Sequence, residues 1–201
     1  NYAQVAIIGT TMNMGIEGFG VARKDILTGQ SLSTLDSVTT GITNDNVYSV
    51  EASGNDLWIG TDSGAWIWDG TTATKVLEGG FYERPQRFYD FELDGSTMYA
   101  GTNLGLCKYS LSGNFVSVAT CNAYSPIGQV TEVAVNSTTI FAGTNTGVYL
   151  IDKTTMTVVD TWTTDDESAD AEVVVIDDIA YIGLSGIGVA RWDIANEEWL
   201  T

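Results

Sequence analysis

The chain has no histidine and only two cysteines among its 201 residues. Without histidine, the usual base of a hydrolytic triad and the commonest zinc ligand are both missing. Two cysteines alone cannot close a structural zinc site. Basic residues are scarce as well: eight Lys and Arg face 26 Asp and Glu, for a net charge of −18. Such a surface repels the phosphates of nucleic acid and of anionic membranes. It reads as a solvated acidic coat that keeps a β-rich chain soluble. No apolar run approaches the 18 residues that a membrane span requires, so no membrane insertion is expected. No signal peptide is visible, which reads as a mature or truncated start. At 44% hydrophobic content the chain can still fill the core of one large β domain.

The opening segment Val5-Ala6-Ile7-Ile8-Gly9 looks like the entry to a dinucleotide-binding loop. That loop needs glycine at its first, third and sixth positions, for the turn, the pyrophosphate and the helix packing. Counting from Gly9, those later positions hold Thr11 and Met14, whose side chains fill the space a cofactor needs. No cofactor is expected.

What the chain has instead is repetition. Ile7-Ile8-Gly9-Thr10 is echoed by Trp58-Ile59-Gly60-Thr61, Tyr99-Ala100-Gly101-Thr102, Phe141-Ala142-Gly143-Thr144 and Tyr181-Ile182-Gly183-Leu184. The last four glycines are spaced 41, 42 and 40 residues apart. Each unit carries an apolar strand ten residues before its glycine, a short turn, the glycine strand, a third strand opened by another glycine, and a fourth strand. Four short β-branched or aromatic strands per unit of about 40–45 residues are the signature of a β-propeller blade. Trp58, Tyr99, Phe141 and Tyr181 recur at one position and are expected to pack blade against blade. The expected architecture is an all-β propeller of five repeats, in one domain or one segment of a longer one. The blades are placed at about 1–43, 44–85, 86–127, 128–168 and 169–201.

On the Gly9 alignment, the first repeat has Gly9-Thr10 ending its second strand and Met12 to Glu17 as a long loop. Its first strand would then lie before residue 1. Two readings follow: a segment of a longer propeller, or a strand donated by a neighbouring molecule to an open edge. Seven of nine positions match between Gly18–Ile26 and Gly186–Ile194, which marks the first and last repeats as blades of one kind.

The stretches LWIGTDSGAWIWDG and GIGVARWDIANEEWLT resemble the propeller repeats in sensor regions of hybrid two-component regulators. The resemblance runs blade by blade over nearly the whole chain. It implies an extracytoplasmic recognition or scaffold module. True WD40 repeats carry a Gly-His pair, which this chain lacks.

Candidate sites follow from the irregular loops between strands two and three and between successive blades. Phe81, Tyr82, Glu83, Arg84 and Arg87 set two of the few basic residues beside two aromatics, the composition of an interface anchor. Asp62, Asn103, Asn145 and Tyr124 lie in other loops of the same face. The acidic run with Asp165, Asp166, Glu167 and Asp170 reads as a solvated linker. It lacks the D-x-D-x-D-G spacing that would wrap calcium, so Asp165, Asp166 and Asp170 are only weak calcium candidates and no metal site is assigned. Cys107 and Cys121 form either a disulfide or two buried thiols; a simple hairpin register leaves them about three residues apart. Asn136-Ser137-Thr138 is a glycosylation sequon in a surface turn.

The expectation is therefore a non-enzymatic, extracellular or cell-surface module for a protein partner or for self-assembly through the open edge. One alternative is a glycan- or small-ligand-binding propeller. Another is a propeller glycosidase or lyase, which needs carboxylates converging on the central channel.

Overall fold

A computed structural model describes residues 3–78, 86–112, 115–123, 127–163, 171–184 and 188–200. Twenty strands form five antiparallel four-stranded sheets, with no helix among the described residues. The first sheet holds β1 (Ala3–Ile8), β2 (Thr11–Ile16), β3 (Gly20–Asp25) and β4 (Ser31–Leu35). The second holds β5 (Val47–Ser53), β6 (Asp56–Thr61), β7 (Gly64–Trp68) and β8 (Ala73–Glu78). The third holds β9 (Phe88–Asp94), β10 (Thr97–Thr102), β11 (Gly105–Ser112) and β12 (Phe115–Ala123). The fourth holds β13 (Glu132–Val135), β14 (Thr139–Thr144), β15 (Gly147–Asp152) and β16 (Val158–Thr163). The fifth holds β17 (Ala171–Ile176), β18 (Ile179–Leu184), β19 (Gly188–Asp193) and β20 (Glu198–Leu200). In every sheet the strands are neighbours in chain order, the up-and-down pattern of a propeller blade.

The first sheet corrects the sequence expectation. It is a complete blade, and residues 11–16 are its second strand rather than a loop. Gly9-Thr10 is the two-residue turn of the β1–β2 hairpin, with Gly9 at φ +58°. The same turn position is held by Gly54, Gly95 and Asp177, all left-handed. The glycine equivalent to Gly60 is Gly15, opposite Gln4 as Gly60 is opposite Ser49. No strand is missing from the first blade, so the premise for a donated strand falls.

The repeat glycine has a packing cause. A Cβ on Gly15 would sit 2.8 Å from Val47 Cγ1, and one on Gly60 2.8 Å from the Phe88 carbonyl. On Gly101 it would lie 2.9 Å from the Val130 carbonyl, and on Gly143 it would collide with the Ala171 carbonyl. In each case the start of the next blade is an obstacle, joined at Gly60 by the still closer Ser49 Oγ of its own sheet. The threonine after the glycine has a separate task. Thr61, Thr102 and Thr144 are fully buried and donate to the carbonyls of Gly64, Gly105 and Gly147 at 2.7–2.9 Å. The same hydroxyls accept the N–H of Ser63, Leu104 and Thr146 at 3.1 Å. The motif thus combines close blade approach with a capped turn.

The chain divides into two compact units, residues 1–98 with 110–117 and residues 99–109 with 118–201. In the first, β1 lies beside β5 and β5 beside β9, and the core gathers Val21, Leu35, Ile42, Val47, Val50, Leu57 and Ile59. Trp58 meets Phe91 edge-on at 6.5 Å. In the second, β13 lies beside β17. One cluster there packs Tyr99, Leu106, Val130, Val133 and Ile140, and another packs Phe141, Val148, Ala171, Val173 and Ile182. Trp58, Tyr99 and Phe141 are buried as expected, whereas Tyr181 is half-buried.

Candidate functional site

In the first unit, four chain segments meet at the end of the sheets that carries the strand-two to strand-three turns. They are the β2–β3 turn with Glu17, the β4–β5 connection ending at Asn46, the β6–β7 turn with Asp62, and Gln86-Arg87 ahead of β9. At their centre is the Asp62 carboxylate. Asn46 Nδ2 donates to its Oδ2 at 2.6 Å, and Arg87 Nε lies 2.7 Å from its Oδ1. No N–H is well aligned with that second oxygen, so Arg87 pairs with it mainly by charge. The Arg87 side chain is half-exposed while Asp62 is mostly covered.

Two tyrosines complete the cluster. Tyr48 and Tyr89 meet edge-to-face with ring centroids 5.3 Å apart. Tyr48 is the extra residue of a β-bulge: Val47 pairs with Thr61 and Ser49 with Gly60, which leaves Tyr48 unpaired. A bulge re-aims the side chain it carries, and bulges concentrate beside functional sites. Burial, followed by the negative charge and hydrogen bond of Asp62, pushes the Tyr48 phenol up to about 12. The Tyr89 hydroxyl and then the Asp62 charge hold the Arg87 guanidinium above its ordinary value. The result is a fixed array of a phenol pair, a carboxylate, an amide and one solvent-facing guanidinium. Tyr48 is buried and Tyr89 partly exposed, so the array presents the Tyr89 ring and one cation to a partner.

Asp62 and Arg87, both expected from sequence, are therefore brought together. Asn103 and Asn145 sit in the β10–β11 and β14–β15 turns, half-buried and exposed respectively. Phe81, Tyr82, Glu83, Arg84, Tyr124, Asp165, Asp166, Glu167 and Asp170 lie outside the described residues. Cys107 is buried on β11 and disulfide-bonded; Cys121 is the chain's one other cysteine, and its side chain lies outside the described residues. Asn136 opens the β13–β14 turn, its Oδ1 accepting the N–H of Thr138 and Thr139 at 2.9 and 2.7 Å. Among the described residues, no group of three or more metal-ligating side chains occurs, and no helix is long and apolar enough to cross a membrane.

Two further features bear on the alternatives. On the innermost strands, Gln4 Nε2 donates to Asp90 Oδ1 at 2.7 Å and its Oε1 accepts the Val50 N–H at 3.2 Å. Burial and the nearby Asp90 charge raise the Glu51 carboxyl. In the second unit, Trp162, Trp192 and Trp199 cluster with centroids 4.8–5.0 Å apart. Trp162 Nε1 donates to Asp160 at 3.1 Å. A cavity of about 350 Å³ beside them is lined by Phe141, Leu150, Val159, Asp160, Trp192 and Glu197, among others.

No protein-family model and no curated protein matches this sequence. Solved structures do match, at the level of fold. The extracellular domain of BT4673 from B. thetaiotaomicron, a candidate hybrid two component system, superposes with a TM-score of 0.76 at 14% identity. That likeness covers 94% of this chain and 27% of the other. Sqt1 of Saccharomyces cerevisiae gives 0.72 at 12% identity, over 96% of this chain and 58% of that one. The computationally designed Ika8 protein gives 0.68 at 14% identity, over 98% and 59%. The chain thus spans from about a quarter to three-fifths of the length of these neighbours. It has the propeller fold.

Proposed function

We propose that the chain is a non-enzymatic interaction module that binds an extended segment of a protein partner at the Tyr48–Tyr89–Asp62–Arg87 cluster. The carrying observation is the bulge at Tyr48, which turns a strand residue into one wall of an aromatic pair beside the half-exposed guanidinium of Arg87. Tyrosine and arginine dominate binding hot spots because they combine flat apolar area with directed hydrogen bonds. On a chain of net charge −18, a paired arginine at this place favours a partner that supplies a carboxylate or a carbonyl. An extracellular or cell-surface setting is part of the proposal. It is supported by the disulfide at Cys107, since such bonds persist in oxidising compartments.

The test is selection of a displayed random-peptide library on the wild-type chain, with affinities then measured on Arg87→Ala and Tyr89→Ala. Enriched peptides should lose roughly tenfold or more in affinity on each variant, the scale of a hot-spot truncation. Peptides that bind all three chains equally would refute the assignment.

A second reading rests on the three-tryptophan cluster. Exposed indole beside carboxylates suits the apolar face and the hydroxyls of a sugar ring. It predicts glycan binding that Trp199→Ala abolishes and Arg87→Ala leaves intact.

A further inference from the structure

Two residues before each repeat glycine, the second strand presents a side chain toward the next blade. In the second and fourth blades it is aromatic and pairs with an aliphatic residue on the third strand: Trp58 with Ile67, and Phe141 with Leu150. Cavities of about 330 and 350 Å³ open beside these pairs. In the first blade the same two positions hold Asn13 and Arg23, paired across β2 and β3. Asn13 is 2% exposed. Its Nδ2 donates to the carbonyls of Ala6 and Thr11 at 3.3 Å, and its Oδ1 accepts from Arg23 Nε at 3.2 Å. A buried polar pair thus stands where sister blades pack apolar side chains. A break of this kind in an otherwise consistent pattern marks a functional place.

The second blade supplies the opposite wall. Trp66 and Trp68 share one side of β7, and both pack into the core with Val21 and Leu35 of the first blade. The Arg23 guanidinium lies over the Trp68 ring, 5.9 Å from its centroid, and the Lys75 ammonium over the Trp66 ring at 5.8 Å. Both indole N–H groups are buried and meet no acceptor. Arg23 has no carboxylate partner among the described residues. The aspartates that follow in the two third strands are bound within their own turns, Asp25 by Thr10 and Thr28 and Asp69 by Thr71 and Thr72. Burial lowers the Arg23 guanidinium from its ordinary value, and no opposing charge offsets it. On a chain with 26 acidic residues, this arginine is held by neutral groups alone.

We infer that the slot between the first and second blades binds a carboxylate, with Arg23 as its charged anchor. The guanidinium uses Nε on Asn13 and one face on Trp68, which leaves its Nη edge for the two carboxylate oxygens. The unpartnered indole N–H groups add neutral donors to the same wall. Indole walls suit a carboxylate carried on a flat apolar body. A free aromatic acid and the C-terminal carboxylate of a partner chain offer this same chemistry. The site is separate from the loop cluster around Arg87, and neither assignment depends on the other.

The experiment is NMR of the arginine Nε–H signals of the whole chain, with the Arg23 signal assigned through the β3 backbone. Sodium benzoate is titrated to about 10 mM, the reach of a weak site, against sodium chloride at matched ionic strength. The Arg23 signal should shift and saturate with benzoate and hold still with chloride. A second arm uses a short peptide ending in Phe, with its C-terminus free or amidated. Tighter binding of the free peptide than of benzoate assigns the slot to a chain end, and weaker or absent binding assigns it to a free acid. Arg23→Lys keeps the charge and the stem but loses the fork, and should weaken benzoate about tenfold by tryptophan fluorescence. Arg87→Ala should bind benzoate at Arg23 as wild type does. An Arg23 signal that ignores both ligands overturns the inference. So does one that follows chloride equally, an amidated peptide that binds as well as the free one, or benzoate affinity unchanged in Arg23→Lys.

Discussion

At the residue scale, one atom decides the repeat. A methyl group on Gly60 or Gly101 would press on a backbone carbonyl that cannot swing away. Gly60→Ala and Gly101→Ala should each cost about 1–3 kcal/mol, the range for forced overpacking. Gly183→Ala meets only an ordinary contact with Glu172 Cβ at 3.7 Å and should change stability by less than about 0.5 kcal/mol. Chemical denaturation of the three variants checks the contrast. Glu51 and Tyr48 give opposite-seeming pH behaviour from one rule. Both carboxyl and phenol are raised, so each favours the folded state at pH below its unfolded value and loses that contribution as pH rises through its folded value. For Glu51 that loss sets in as pH rises above the ordinary glutamate range, because the carboxylate then ionises in a buried place beside Asp90. Glu51→Gln should therefore do little at pH 4 and lessen the fall in melting temperature as pH rises from there. For Tyr48 the loss begins near pH 10 and runs to about 12. Tyr48→Phe should flatten that alkaline limb of the stability curve.

At the element scale, four of the turns from strand three to strand four share one device. Asp25, Asp69, Asp152 and Asp193 are held below the usual carboxylate range, first by the backbone N–H three residues on, from Thr28, Thr72, Thr155 and Asn196. A depressed pKa contributes stability above the unfolded value and loses it as pH falls through the folded one. Thermal unfolding midpoints should accordingly drop below about pH 4, the ordinary aspartate range, and Asp152→Asn should shrink that drop. These turns were legible in sequence because in four blades an aspartate stands at the end of the third strand, three residues before Thr or Asn. The first blade was not. Its turn glycine, Gly9, precedes a threonine by chance of turn chemistry, while its packing glycine, Gly15, precedes Ile16. The Gly-Thr pattern therefore pointed to the wrong glycine, and the assignment slipped by one strand. The site was half legible. Asp62 and Arg87 stand out as polar residues in irregular loops. Tyr48 and Tyr89 look like core residues of a strand, and only the bulge, which alternation does not reveal, turns Tyr48 toward the turn end.

At the scale of the whole molecule, the blade order makes inner strands the most protected and outer strands the most open. Val47, Leu57, Ile59, Phe88, Met98, Ile140 and Phe141 on first and second strands are fully buried. The described side chains of β16 are half-buried or exposed throughout. Hydrogen exchange reports such differences as opening free energies, from the core outward. The most direct test of the account is amide exchange read by mass spectrometry on the intact chain in its oxidised form. Peptides from β5, β6, β9, β10 and β14 should exchange slowest, those from β4, β8, β16 and β20 fastest, and residues 11–16 should be protected as a strand. Rapid exchange across 11–16, or outer strands slower than inner ones, would contradict the five-blade architecture.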